Sequence, residues 1–165
     1  MTRAGILPLA TLALVLGAGR GPAPVLADGG ATPSDSLYEE AGRLYATERY
    51  VEAIPLFERV LSENPRFANA YALLGGSFLH LGIYERAIEN FEKALRFDEG
   101  IKLAYLGLIT ANYYTSRLDV AQKWARKCLP VLSPGEKDRW ISFLDRKFPG
   151  LEIGPGGVRP ASRTG

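Results

Sequence analysis

The chain contains a single cysteine, Cys128, and a single histidine, His80, among 165 residues. One thiol cannot close an internal disulfide, so packing alone must hold the fold. One imidazole, with no Cys or acid beside it at metal-ligand spacing, gives none of the usual zinc patterns. A thiol nucleophile would have only that one His to activate it. Runs of Lys or Arg are missing, and no basic stripe alternates with aromatics, which excludes the usual electrostatic signature of nucleic-acid binding. The formal charge is only +2. The run GGS at 75–77 lacks the Gly-Lys-Ser/Thr continuation of a phosphate loop. No apolar run reaches the ~20 residues of a bilayer-spanning helix.

What is present begins at the N-terminus. Arg3 precedes ILPLATLALVLGA, an apolar-rich run at 6–18. A positive start, a short apolar core and a later small-residue site describe a secretory signal peptide over 1–27. The expected cleavage follows Ala27, with Val25 and Ala27 as the small pair. No Cys lies near the site to carry a lipid. Cleavage removes Arg3 and Arg20 and no acid, leaving 18 basic and 18 acidic residues. A neutral mature chain leaves little long-range field to choose a partner. The expected location is therefore exported, periplasmic or secreted, with no stable membrane span after cleavage.

Beyond a linker at 28–33, the chain repeats with a period of about 34 residues. Three copies occupy 34–67, 68–101 and 102–133. The columns read Leu37, Tyr71, Tyr105; Ala41, Gly75, Ile109; Leu44, Phe78, Asn112; Tyr50, Tyr84, Leu118. They continue Ala53, Ala87, Ala121; Phe57, Phe91, Ala125; Val60, Ala94, Cys128; Leu61, Leu95, Leu129. Within Tyr84 to Leu95, apolar residues recur every three or four positions, one stripe of an amphipathic helix. A second stripe runs through Tyr71, Leu74, Gly75, Phe78 and Leu81. Gly82 supplies a left-handed cap between the two. The small Ala53, Ala87 and Ala121 let the paired helices approach. Each pair leaves an apolar face that only the next pair covers.

Several features mark departures and ends. Pro55 falls near the start of a helix, where a lost hydrogen bond harms least. Pro130 ends or bends the last repeat helix at Leu129. Asn112 and Ala125 stand in columns that are bulky elsewhere, which makes the third copy the loosest or most specialised. A capping helix is expected over 134–148, opened by Ser133, Pro134 and Glu136 as a capping box. Its inward side carries Trp140, Phe143, Leu144 and Phe148. Residues 149–165 are dense in Gly and Pro and read as a disordered tail.

Tyr71, Leu74-Gly75, Phe78, Ala87 and Phe91, with Pro65 closing the first copy, resemble the tetratricopeptide repeat signature. The resemblance spans about 100 residues and weakens in the third copy. It implies an all-α fold, a right-handed solenoid of three helix-turn-helix repeats plus a C-terminal capping helix. It also implies a concave groove lined by the first helices, holding an extended peptide or partner helix. Carried over position by position, the groove residues are Tyr38, Tyr45, Asn69, His80, Leu103, Leu106, Thr110, Tyr113 and Tyr114. Members that grip a carboxylate use Lys, Asn and Arg at columns occupied here by Tyr38 and Gly42, Leu73, and Leu103 and Gly107. An apolar or aromatic ligand segment suits those residues better.

No catalytic, cofactor-binding or metal residues are expected. Cys128 reads as a small core residue, and Glu39-Glu40 and Glu89 with Glu92 as solvated helix faces. The expected function is a non-catalytic adaptor or scaffold for another protein or peptide in the cell envelope. Alternatives are a chaperone-like holder of secretion substrates, an accessory subunit of an envelope enzyme complex, and a small-molecule binder in the Tyr-rich patch. Self-association follows from the same apolar groove.

Overall fold

The computed structural model describes residues 33–151 and 153. The expected signal peptide at 1–27 and the linker up to residue 32 lie outside the described residues. Among those described there are seven α-helices, one 3-10 turn and no strand. The helices are α1 Pro33–Ala46, α2 Tyr50–Glu63, α3 Ala68–His80, α4 Tyr84–Phe97, α5 Lys102–Tyr114, α6 Leu118–Cys128 and α7 Pro134–Lys147. They form an all-α solenoid of three helix pairs closed by a seventh helix. None of the described helices is long and apolar enough to cross a membrane.

The apolar spacing explains the helices. In α4, Ala87, Asn90, Phe91, Ala94 and Leu95 are buried, while Glu85, Arg86, Glu89, Glu92 and Lys93 are exposed. Asn90 is satisfied inside its own helix, donating Nδ2 to the Arg86 carbonyl at 2.8 Å. The small columns bring backbones together. A Cβ added at Gly75 would lie 3.1 Å from the Ala87 carbonyl oxygen and 3.0 Å from the Phe91 ring. Across the next interface, a Cβ added at Gly107 would lie 2.2 Å from that same ring. Phe91 is thus clasped between glycines of two successive repeats, which is how α4 joins α3 to α5.

Every turn inside a pair has one geometry. The residue at positive φ is Glu48 (62°), Gly82 (76°) and Ser116 (61°), which share one column of the repeat. Amide 49 bonds carbonyl 44 at 2.9 Å, amide 83 bonds carbonyl 78 at 2.9 Å, and amide 117 bonds carbonyl 112 at 2.8 Å. Shorter-range bonds from amides 48, 82 and 116 to carbonyls 45, 79 and 113 complete the Schellman pattern. The left-handed cap expected at Gly82 is present, and two non-glycine residues adopt the same strained conformation.

The first helix of each pair also touches the first helix of the next, α1 against α3 and α3 against α5. The second helices make no comparable contact with one another among the described residues. Closer spacing on one side curves the stack, and α1, α3 and α5 line its inner wall.

The C-terminal end follows the sequence in part. Pro130 stops α6 at Cys128 and leaves a 3-10 turn, Leu129–Val131. The Ser133–Glu136 capping box opens α7. Glu136 also pairs with Lys102 Nζ, tying the start of α7 to the start of α5. Trp140, Leu144 and Phe148 are buried, and Phe143 is half-buried. One expectation is corrected: the tail does not begin at 149. Leu151 and Ile153 are buried at 2% and 5% exposure in the same apolar cluster as the repeats. Their side chains are apolar enough to leave water despite the surrounding glycines and prolines. The remainder, 152 and 154–165, lies outside the described residues.

Candidate functional site

The inner wall is built from one face each of α1, α3 and α5. At the first repeat, Tyr38 is half-buried, edge-on to Phe57 at 6.1 Å and tilted against Phe67 at 4.6 Å. Burial raises its phenol above the ordinary value. Leu103 is half-buried at the start of α5, and Asn69 is exposed at the start of α3. These three present side-chain surface to the solvent.

Tyr45 behaves differently. Only 8% of it is exposed, because its ring crosses to the next first helix. A Cβ on Gly76 would sit 2.4 Å from the Tyr45 hydroxyl. Gly76 leaves the room, and Tyr45 fills it. The hydroxyl is buried with no hydrogen-bond partner among the described residues, and burial pushes its pKa upward. Leu106 and Thr110 are equally covered, at 8% each. Tyr45, Leu106 and Thr110 therefore form the floor of the wall. Among the expected groove residues, these three present little side-chain surface to a ligand.

His80 and Tyr114 occupy equivalent places and make equivalent contacts. His80 stacks on Tyr50 at 4.4 Å and 3°, and Tyr114 stacks on Tyr84 at 5.9 Å and 21°. Each stack joins the end of a first helix to the start of the preceding repeat's second helix. Both rings keep an exposed portion. Burial lowers the His80 pKa, with Glu48 opposing weakly, so the imidazole is neutral at pH 7. Tyr113 is half-buried, 4.9 Å from the Phe148 ring and 6.0 Å from Tyr114. Its hydroxyl donates to the Pro149 carbonyl at 3.3 Å.

The structure thus brings Tyr45 to His80 and Tyr113 to Tyr114, while Tyr38 and Tyr113 mark opposite ends of the wall. The sequence did not point to Gly76, Phe148 or Pro149 as contributors to the wall. Gly76 admits Tyr45, and Phe148 with Pro149 covers the far end. The Tyr50 and Tyr84 column, already visible in the repeat, was the available sign of the stacks.

The wall offers apolar contact with polar tips and little acid–base chemistry. Cys128 is fully buried, and burial pushes its thiol up to about 12, which leaves no thiolate at neutral pH. Among the described residues no group of three or more His, Cys, Asp or Glu is placed to hold a metal. The position of Gly107 has a further consequence: the Phe91 ring fills the space a side chain would need. No cation could be carried there without displacing Phe91.

Residues 38–100 match the family model described as Tetratricopeptide repeat. That segment is similar to the tetratricopeptide repeat family. No curated protein matches the sequence. Among solved structures, an Arabidopsis OM64 tetratricopeptide repeat (TPR) domain is similar at TM-score 0.59 and 21% identity, over 69% of this chain and 98% of that one. The second TPR domain of human RPAP3, solved in complex with HSP70 peptide SGPTIEEVD, is similar at 0.62 and 20%, over 68% and 92%. The Sgt2 TPR domain from Aspergillus fumigatus is similar at 0.61 and 24%, over 81% and 93%. At these identities the likeness establishes the fold. One of these neighbours, the human RPAP3 domain, was solved holding a peptide.

Proposed function

We propose that this protein is a non-catalytic adaptor of the cell envelope that holds an apolar or aromatic segment of another protein along α1, α3 and α5. The observation that carries the reading is the wall itself. Tyr38, Leu103 and Tyr113 present half-exposed apolar surface above a floor sealed by Tyr45, Leu106 and Thr110. Tyr is suited to such contact, because it offers a large area with few rotors to freeze and a polar tip. The ligand differs in kind from the acidic peptide bound by the human neighbour. The columns that would carry cations hold Tyr38, Gly42, Leu73, Leu103 and Gly107, and Gly107 is filled by Phe91. The envelope location is supported by Arg3, the short apolar run and the Val25–Ala27 site.

Affinity capture from envelope extracts tests the partner. Wild type is expected to recover a specific protein that Leu103→Asp and Tyr38→Ala variants lose while their circular dichroism is unchanged. Recovery of the same proteins by all three would overturn the groove assignment. A reporter fused after residue 33 that folds only outside the cytoplasm is expected to be active, and an inactive but intact fusion would overturn export.

A further inference from the structure

The turns inside the three helix pairs lie along one edge of the stack, where each first helix ends and each second helix begins. Two ring stacks, His80 on Tyr50 and Tyr114 on Tyr84, tie neighbouring turns together there. Among the described residues five large hydrophobic side chains are exposed, and four of them stand on this edge. Leu81 and Ile83 flank Gly82 in the middle turn. Val51, 68% exposed, is at the start of α2, and Leu118, 45% exposed, is at the start of α6. The apolar surface thus has a centre on the second repeat and one flank on each neighbouring repeat. An exposed apolar patch held in one register marks a docking surface. The two flanks differ in charge. Repeat one, 34–67, has seven Asp or Glu against four Lys or Arg, and repeat three, 102–133, has one against five. On the edge itself, Glu48 is exposed in the first turn and Arg117 in the third.

We propose that this edge docks a second copy of the chain about a two-fold axis at the middle turn, so that the first repeat of each copy lies against the third repeat of the other. That symmetry matches the patch to itself, as an isologous contact requires. Leu81 and Ile83 meet their own copies around the axis. Val51 meets the other copy's Leu118 on both flanks. The same rotation sets the acidic repeat of each copy beside the basic repeat of the other, and Glu48 beside Arg117. A parallel arrangement would set like charges together, so complementarity fixes the orientation. The contact is closed, which limits assembly to a dimer. It uses the turn edge and not the apolar groove, so two copies of the inner wall are held in one particle whatever the wall binds.

Sedimentation velocity of the full chain over a concentration series tests the contact. The apolar run at 6–18 is common to every variant and cancels in the comparison. Wild type is expected to form a dimer and no larger species. Ile83→Asp, at an exposed side chain, is expected to raise the dimer dissociation constant by at least about tenfold. Glu48→Arg and Arg117→Glu should each weaken the dimer less, and combining them in one chain should restore it. Orientation is read by disulfide trapping, since the only native thiol, Cys128, is fully buried. Under copper-phenanthroline oxidation, a mixture of Val51→Cys and Leu118→Cys chains should yield the mixed dimer in preference to either homodimer. A wild type that is monomeric at every concentration overturns the proposal, as does a dimer indifferent to Ile83→Asp or trapped mainly as homodimers. If Ile83→Asp loses its helical circular dichroism, Val51→Asp replaces it, and a dimer indifferent to that change overturns the proposal equally. A monomer that sediments with phosphatidylglycerol vesicles, and stops doing so with Ile83→Asp, assigns the edge to a lipid surface and overturns it too. Capture that depends on Leu103 is a separate readout, so either reading fails without the other.

Discussion

The second and third repeats share a backbone plan and differ in how they fill it. In the second, Phe78 and Phe91 are almost wholly buried, and Phe91 is clasped by Gly75 and Gly107. In the third, the same columns hold Asn112 and Ala125, also buried. The pair α5–α6 still forms, with the same turn at Ser116 and the same long backbone bond from amide 117. Asn112 meets its own requirement by donating Nδ2 to the Leu108 carbonyl at 2.8 Å. Trp124, next to Ala125, lies half-buried against Tyr105 at 6.2 Å. Turn geometry and small-residue columns therefore specify the repeat. The bulky columns decide how strongly one repeat holds its neighbours.

That comparison can be broken from its strong side first. Phe91→Ala empties a site shared by two interfaces and is expected to cost about 3–5 kcal/mol, read as a fall in the urea midpoint. Ala125→Gly, in the same column of the third repeat, should cost only about 1 kcal/mol, the helix-propensity difference. Equal losses would mean that the two repeats are packed alike. Gly107→Ala comes next. Its new methyl would collide with the Phe91 ring, and overpacking of this kind costs about 1–3 kcal/mol. An unchanged thermal midpoint would show that Phe91 moves freely out of the clasp.

The shared turn predicts opposite signs at equivalent positions. Gly82→Ala forces an L side chain to φ 76° and should cost about 1 kcal/mol. Ser116→Gly relieves the same strain and should gain about 0.5 kcal/mol after the added freedom of the unfolded chain. Chemical denaturation of the two variants side by side checks both, and matching signs would refute a common turn. The smallest effect belongs to the cap. Lys102, then Ser133, hold the Glu136 carboxyl down to about 2, against an ordinary 4.5. A depressed carboxylate adds stability that is complete above pH 4.5 and lost as pH falls toward 2. Glu136→Gln should lower the thermal midpoint slightly at pH 6 and not at pH 2. A constant difference across that range would remove the charge from the account.

Legibility differed between the frame and the site. Gly82, the Ala53, Ala87 and Ala121 column, Pro130 and the Ser133–Glu136 box were each readable, because each acts within a turn or two of its own helix. Of the expected groove residues, Tyr38, Asn69 and Leu103 were placed with an open face. Tyr45, Leu106 and Thr110 were not, since their exposure depends on what the adjacent helices supply. Tyr45 is covered because Gly76, in the following repeat, has no side chain. Leu151 and Ile153 were hidden by the composition around them, which is rich in Gly and Pro and signals an unpacked chain.

From its residues alone, this protein was committed to paired helices repeating at a fixed period, with a left-handed turn inside each pair and a capped end. Those features come from short-range periodicity and backbone preference, which are properties of contiguous residues. Which side chains remain available to a partner was decided only when the pairs stacked. Stacking sets Tyr50 on His80, Tyr84 on Tyr114, and Phe148 at the end of α7 on Tyr113. Those contacts join one repeat to the next, or the last repeat to the capping helix, and they depend on how far each pair rotates relative to the one before it.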